Sequence, residues 1–113
     1  MNEEIKKSKK MLSTIGICAK ARKLIYGIPL LCEAMKSGGK STPILVLVAN
    51  DISENSRKRI TDRCKFYSVE YIILPIGAEE FGMTVGKKTA LGAVGITDNN
   101  LCIAVKASIN NNQ

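Results

Sequence analysis

The sequence predicts an α/β fold: a three-layer α/β/α sandwich around a mixed sheet of about four strands. Three observations point there. Helix-like and strand-like stretches alternate along the chain. The run Ile44-Leu45-Val46-Leu47-Val48 is unbroken apolar sequence, the pattern of a strand covered on both faces. The 113 residues, 45% hydrophobic and 24% charged, supply one core and leave no room for a second, so one domain over residues 1–113 is expected.

The elements follow in order. Ile5, Leu12, Ile15 and Ala19 recur at helical spacing with lysines on the other face, which predicts a helix over about residues 3–21, with Glu3 and Glu4 in its first turn. Leu24-Ile25-Tyr26 is a short strand ended by Gly27. A second helix covers residues 28–38, with Pro29 in the first turn, where its missing N–H costs nothing, and a stop at Gly38-Gly39. Pro43 opens the apolar strand. Ser53 caps a basic helix whose apolar stripe is Ile60, Cys64 and Tyr67. Val69 to Leu74 reads as a strand, Glu79 to Val85 as a short helix, and Ala93 to Thr97 as a small-residue strand. Asp98 caps a last helix through Leu101, Val105 and Ile109, leaving residues 110–113 as a polar tail. Met35 and Met83 read as core fillers.

Several function classes are disfavoured. The four cysteines, Cys18, Cys32, Cys64 and Cys102, form no CxxC pair and the chain lacks histidine, so neither a Cys/His zinc site nor a cofactor is expected. Buried, reduced thiols in the cytoplasm fit best. The apolar run Met11 to Ala19 after Lys6–Lys10 is interrupted by Ser13, Thr14 and Gly16 and reads as a helix rather than a leader, and no run approaches a membrane span. Gly39-Lys40-Ser41 lacks the upstream glycine and the strand-to-helix context of a phosphate-binding loop. Glu79-Glu80 are adjacent on a helix and point apart, so no acid–base pair emerges and no enzyme is expected. The five aromatics do not form the stacking platform of a single-strand RNA-binding sheet.

Charge is uneven. Residues 1–65 hold 14 Lys/Arg against 6 Asp/Glu, while residues 66–113 hold 3 against 4. A basic half suits a polyanion partner, and equally a solubility charge. Arg57, Lys58, Arg59 and Arg63 read as the solvated face of their helix. On the second helix, Leu31, Ala34, Met35 and Gly38 form the inward stripe, and Leu30, Glu33 and Ser37 face outward. The N-terminus of that helix at Gly27 presents unpaired backbone N–H groups, with Lys20, Arg22 and Lys23 upstream and Lys36 and Lys40 beyond. An ordinary solvated helix start has the same appearance.

Ala21-Arg22-Lys23, Gly27, Val48-Ala49-Asn50-Asp51, Ser53-Glu54-Asn55, Ile60-Thr61-Asp62, Cys64, Tyr67, Gly86-Lys87 and Ile96-Thr97-Asp98 resemble, in order and spacing, the kink-turn-binding ribosomal protein family. The resemblance is greatest to its short bacterial YlxQ-type branch and extends to about residue 108. It implies an α/β/α sandwich and binding of an RNA kink-turn or related structured RNA. The implied contacts are Lys23, Gly27, Ile28, Pro29, Leu30, Glu33 and Lys36 around the second helix, and Lys87, Lys88, Thr89, Ala90 and Leu91 in a later loop. In that loop, Lys87 and Lys88 would meet phosphate and Ala90 and Leu91 would pack on an extruded base. Archaeal members carry Gly-x-Asn-Glu-x-x-Lys where this chain reads Gly27-Ile28-Pro29-Leu30-Leu31-Cys32-Glu33. Pro29, Leu30 and Glu33 thus imply weakened or altered specificity. The expected partners are structured RNA, kink-turn or ribosomal, and ribosomal, transcription or translation proteins. A monomer is expected, with no membrane. The rival expectation is an accessory protein-interaction module, with Leu30 beside Pro29 as its contact patch.

Overall fold

The computed structural model describes residues 7–110. Four strands, β1 (Leu24–Tyr26), β2 (Leu45–Val48), β3 (Glu70–Ile73) and β4 (Ala93–Ile96), form one mixed sheet in the order β1-β4-β2-β3. β2 and β3 run parallel, whereas β4 is antiparallel to both β1 and β2. Five α-helices cover the sheet: α1 (Lys9–Lys20), α2 (Ile28–Ser37), α3 (Glu54–Phe66), α4 (Ala78–Thr84) and α5 (Asn99–Asn110).

The expected three layers are present. On one face, Met11, Ile15 and Cys18 of α1, Phe81 of α4 and Cys102, Val105 and Ile109 of α5 pack on Leu45, Leu47, Val94 and Ile96. On the other face, Leu31 and Met35 of α2 and Ile60 and Cys64 of α3 pack on Val46 and Val48. Alternate residues of β2 therefore enter opposite cores, and all four are buried, the condition that its unbroken apolar sequence demands.

Local chemistry sets the boundaries. α1 begins at Lys9, later than residue 3, because Ser8 is extended (φ −139°) and its Oγ accepts from the Met11 N–H at 3.1 Å. Residues 3–6 and 111–113 lie outside the described residues, and with them the Glu3-Glu4 turn and all but the first residue of the polar tail. Ser53 caps α3 through the Ser56 N–H and Asp98 caps α5 through the Leu101 N–H, as expected. A short 3-10 turn, Gly39–Ser41, follows α2, with Gly38 and Gly39 both at left-handed φ. Met83 is corrected: it is 72% exposed on the outer side of α4, while Met35 is buried. Phe81 takes the inward position on that short helix, and residues two apart on a helix do not share a face.

Candidate nucleic-acid interface

The C-terminal ends of β1, β2 and β3 and the N-terminal end of β4 share one end of the sheet, so the segments after the first three and before β4 converge there. Gly27 ends β1 and opens α2 at φ +90°, ψ 152°, a backbone region costly for any side chain. Its N–H donates to the Ala93 carbonyl at 2.9 Å, which ties the start of α2 to the start of β4. The first intrahelical bond of α2 runs from the Leu31 N–H to the Gly27 carbonyl. The Ile28 and Leu30 amides therefore have no acceptor within the helix, and Pro29 has no amide proton to offer.

The loop 86–92 lies alongside. Gly86 turns the chain at φ +80°, the Lys87 N–H donates to the Gly82 carbonyl at 2.8 Å, and the Leu91 N–H donates to the Ala78 carbonyl at 2.9 Å. These bonds strap the loop along α4. The approach is so close that a Cβ on Gly82 would stand 2.0 Å from the Thr89 carbonyl oxygen. Lys88, Thr89 and Ala90 are exposed, whereas Leu91 is half-buried against the α1/α4/α5 core. Lys87 places its Nζ 4.3 Å from the centroid of the Tyr26 ring, a cation–π contact across the gap between the loop and β1. Burial raises the pKa of Tyr26 and keeps the phenol neutral. Beneath the two segments, a Cβ on Gly92 would meet Ile52 Cγ2 at 3.1 Å and Ile28 Cδ1 at 3.5 Å, so Gly92 makes room for both isoleucines. Asp51 joins the same end of the sheet, its Oδ1 accepting from the Ala78 N–H at 2.8 Å at the start of α4.

The structure thus brings Gly27, Ile28, Pro29 and Leu30 together with Lys87, Lys88, Thr89, Ala90 and Leu91. Lys23 stands apart: it precedes β1, at the other end of that strand, and its carbonyl accepts from Thr97. Glu33 and Lys36 lie farther along α2, both exposed, in a groove shared with Arg59 and Arg63 of α3. Leu30 is 60% exposed and Ser37 is exposed, so the outward stripe of α2 lies where helical spacing puts it. Sequence reasoning missed Tyr26, Asp51 and Gly82. A glycine inside a short helix was the available signal for Gly82, since it costs helix stability and marks a close approach.

Comparison with known proteins decides the lineage. The family model for the ribosomal protein L7Ae/L30e/S12e/Gadd45 family matches residues 9–105. The chain belongs to this family. It is similar to the RNA-binding protein YlxQ of Bacillus subtilis (strain 168), with 31% identity over 84 residues, 74% of this chain and 79% of that protein. It is also 31% identical over 100 residues to the RNA-binding protein YlxQ of Enterococcus faecium, covering 88% and 91% of the two chains. Among solved structures, a protein of unknown function from Bacillus halodurans C superposes with TM-score 0.78 at 24% identity, over 90% of this chain and 98% of that one. The 15.5kD RNA binding protein of Giardia lamblia gives TM-score 0.69 at 18% identity, over 96% and 88%. At those identities the structural likenesses speak for the fold. Among the described residues, no helix is long and apolar enough to cross a membrane.

Proposed function

We propose that this protein is a non-catalytic, cytoplasmic RNA-binding protein that holds a kink-turn or related structured RNA, as part of the ribosome or its assembly. The observation that carries the reading is the junction of Gly27 with the loop 86–92. A helix N-terminus with acceptor-free amides at Ile28 and Leu30 stands beside a loop exposing Lys87, Lys88, Thr89 and Ala90. Membership of the family and the names of its YlxQ relatives support RNA as the partner class.

The chemistry of this chain supports altered specificity. Pro29 offers no side-chain amide, Leu30 no carboxylate to accept from a guanine edge, and Glu33 presents negative charge toward a phosphate-rich ligand. Loop shape and phosphate contacts then supply most of the recognition, as is usual for structured RNA.

The test is binding to a kink-turn RNA and to the same RNA with its sheared G·A pairs replaced by Watson–Crick pairs, over a range of salt. A preference for the intact kink, lost in a Lys87→Ala/Lys88→Ala variant, is the expected result. Glu33→Lys should strengthen binding several-fold by removing a like-charge repulsion of about 1 kcal/mol. Equal affinity for both RNAs would remove kink-turn recognition. A second reading, a protein-contact module, is favoured by Leu30 at 60% exposure beside Pro29. It requires a complex insensitive to salt and lost on Leu30→Ala.

A further inference from the structure

The sequence assigned α3 a merely solvated basic face, yet the fold places one flank of that face opposite α2. Pro29, Cys32, Glu33 and Lys36 form a single stripe on α2, and Arg59 and Arg63 form one on α3. Together they line an open groove of about 190 Å³. Three cations thus meet one carboxylate. Among the described residues, Glu33 has no cationic partner within 4.0 Å, so neither arginine is neutralised by it. The remaining acid nearby, Asp62, is paired with Lys58 at 3.2 Å.

One turn beyond Arg63 stands Phe66. Of the five aromatic residues it alone is exposed, at 79%; the tyrosines are half-buried and Phe81 is fully buried. Tyr67 meets it nearly at right angles (84°, centroids 4.9 Å apart), which braces the ring without covering it. Phe66, Asp62 and Arg63 border a largely apolar hollow of about 350 Å³, and Arg63 lines both this hollow and the groove. Arg59, Arg63 and Phe66 fall at i, i+4 and i+7, so two arginines whose Cα atoms are about 6 Å apart along the helix axis lead to an aromatic ring.

The geometry points to a second RNA-contact surface. The α2–α3 groove and Phe66 take a single-stranded segment flanking the structured RNA, with Arg59, Arg63 and Lys36 on its phosphates and an unpaired base stacked on Phe66. This rests on the proposed RNA function and extends it along α2, because the groove starts at Pro29, within the first turn behind Gly27. Charge and chemistry select this occupant. Lys36, Arg59 and Arg63 line the groove against the single carboxylate of Glu33, a net positive charge that calls for an anionic occupant. A nucleotide couples an anionic backbone to an apolar ring face, and an aromatic beside arginines answers both parts. The surface also restores on α3 the positive charge that Glu33 removes from α2.

The experiment is an NMR amide-shift titration of the full chain with three RNAs: a kink-turn with flush ends, the same RNA with a short single-stranded pyrimidine extension, and that pyrimidine oligomer alone. Affinities are measured in parallel for wild type, Phe66→Ala and Arg59→Gln/Arg63→Gln. The flush RNA should move residues 27–33 and 87–91, and the extension should add shifts at 59, 63 and 66. It should also add about tenfold in affinity, lost in Phe66→Ala. The arginine double variant should lower the salt slope by about 1 to 2 for the extended RNA only. If the flush RNA moves its residues while the extension adds neither affinity nor α3 shifts, the inference is overturned and the kink-binding reading stands. If only the oligomer moves α3, the kink-binding reading fails and the α3 surface stands. If no RNA moves any of these residues, both fail. The three side chains are exposed, so their replacement leaves the core intact.

Discussion

Two glycines show how differently a residue can be required. Gly27 has room: a Cβ there would meet only Pro29 Cδ, at 3.9 Å, yet its backbone lies at φ +90°, where a side chain is strained. Gly82 lies in an ordinary helix but has no room, because the Thr89 carbonyl fills the place of a Cβ. The first requirement was legible, since a glycine between an apolar strand and a helix marks an unusual turn. The second was not, because no local pattern says that a loop seven residues later folds back against this helix. Gly82→Ala should lower stability by about 1–3 kcal/mol, since backbone rather than a flexible side chain must yield. Thermal unfolding measures the loss. Amide shifts confined to residues 78–91 would locate it, and an unchanged melting temperature would contradict so close a packing of the loop on α4.

At the scale of elements, all four strands and five helices were legible, because each has a strong period or a strong stop. The helix ends were less so. α1 and α3 close without glycine: Arg22 and Ser68 both sit at φ +58°. In each case the following N–H reaches back five residues, Lys23 to the Cys18 carbonyl at 3.2 Å and Val69 to the Cys64 carbonyl at 2.8 Å. This is the glycine-type helix terminus built with residues that dislike it. Sequence rules look for glycine there, and the C-terminal end of the first helix was read one residue too far. Ser68→Gly should therefore stabilise the fold by about 0.5 kcal/mol, the relief of left-handed strain outweighing the added freedom of the unfolded chain. Chemical denaturation checks this. A loss of stability would mean that the exposed Ser68 side chain does more than occupy the turn. Met83 shows the opposite failure: residue type suggested the core, but a two-turn helix has one inward face and Phe81 occupies it.

Whole-molecule organisation was the least legible level. The layers followed from the alternation of elements, but the order β1-β4-β2-β3 did not, and that order sets Gly27 against the loop 86–92 and α2 against α3. The basic first half was likewise visible as a number before it had a place, and Arg59 and Arg63 acquire a role only once α2 lies opposite them. The cysteines were read correctly as buried free thiols, and the fold puts Cys18 and Cys102 in the α1/α4/α5 core and Cys64 in the α2/α3 core, while Cys32 lies on α2 along the groove toward α3. Burial, reinforced by proximity to Cys32, pushes the Cys64 thiol up to about 11 from 9.0, and burial with a contribution from Cys18 does the same for Cys102. Between those values the unfolded chain gives up these protons while the folded one keeps them, so rising pH favours unfolding. Their contribution to stability is fully present below pH 9 and is lost as the pH rises to about 11. The decisive quantity is a difference of slopes. Denaturation midpoints should fall with pH more steeply for wild type than for Cys64→Ala/Cys102→Ala, whatever the absolute stability of the variant. Equal slopes would mean that the two thiols ionise as readily in the folded chain as in the unfolded one, and would overturn the shift that burial of both side chains predicts.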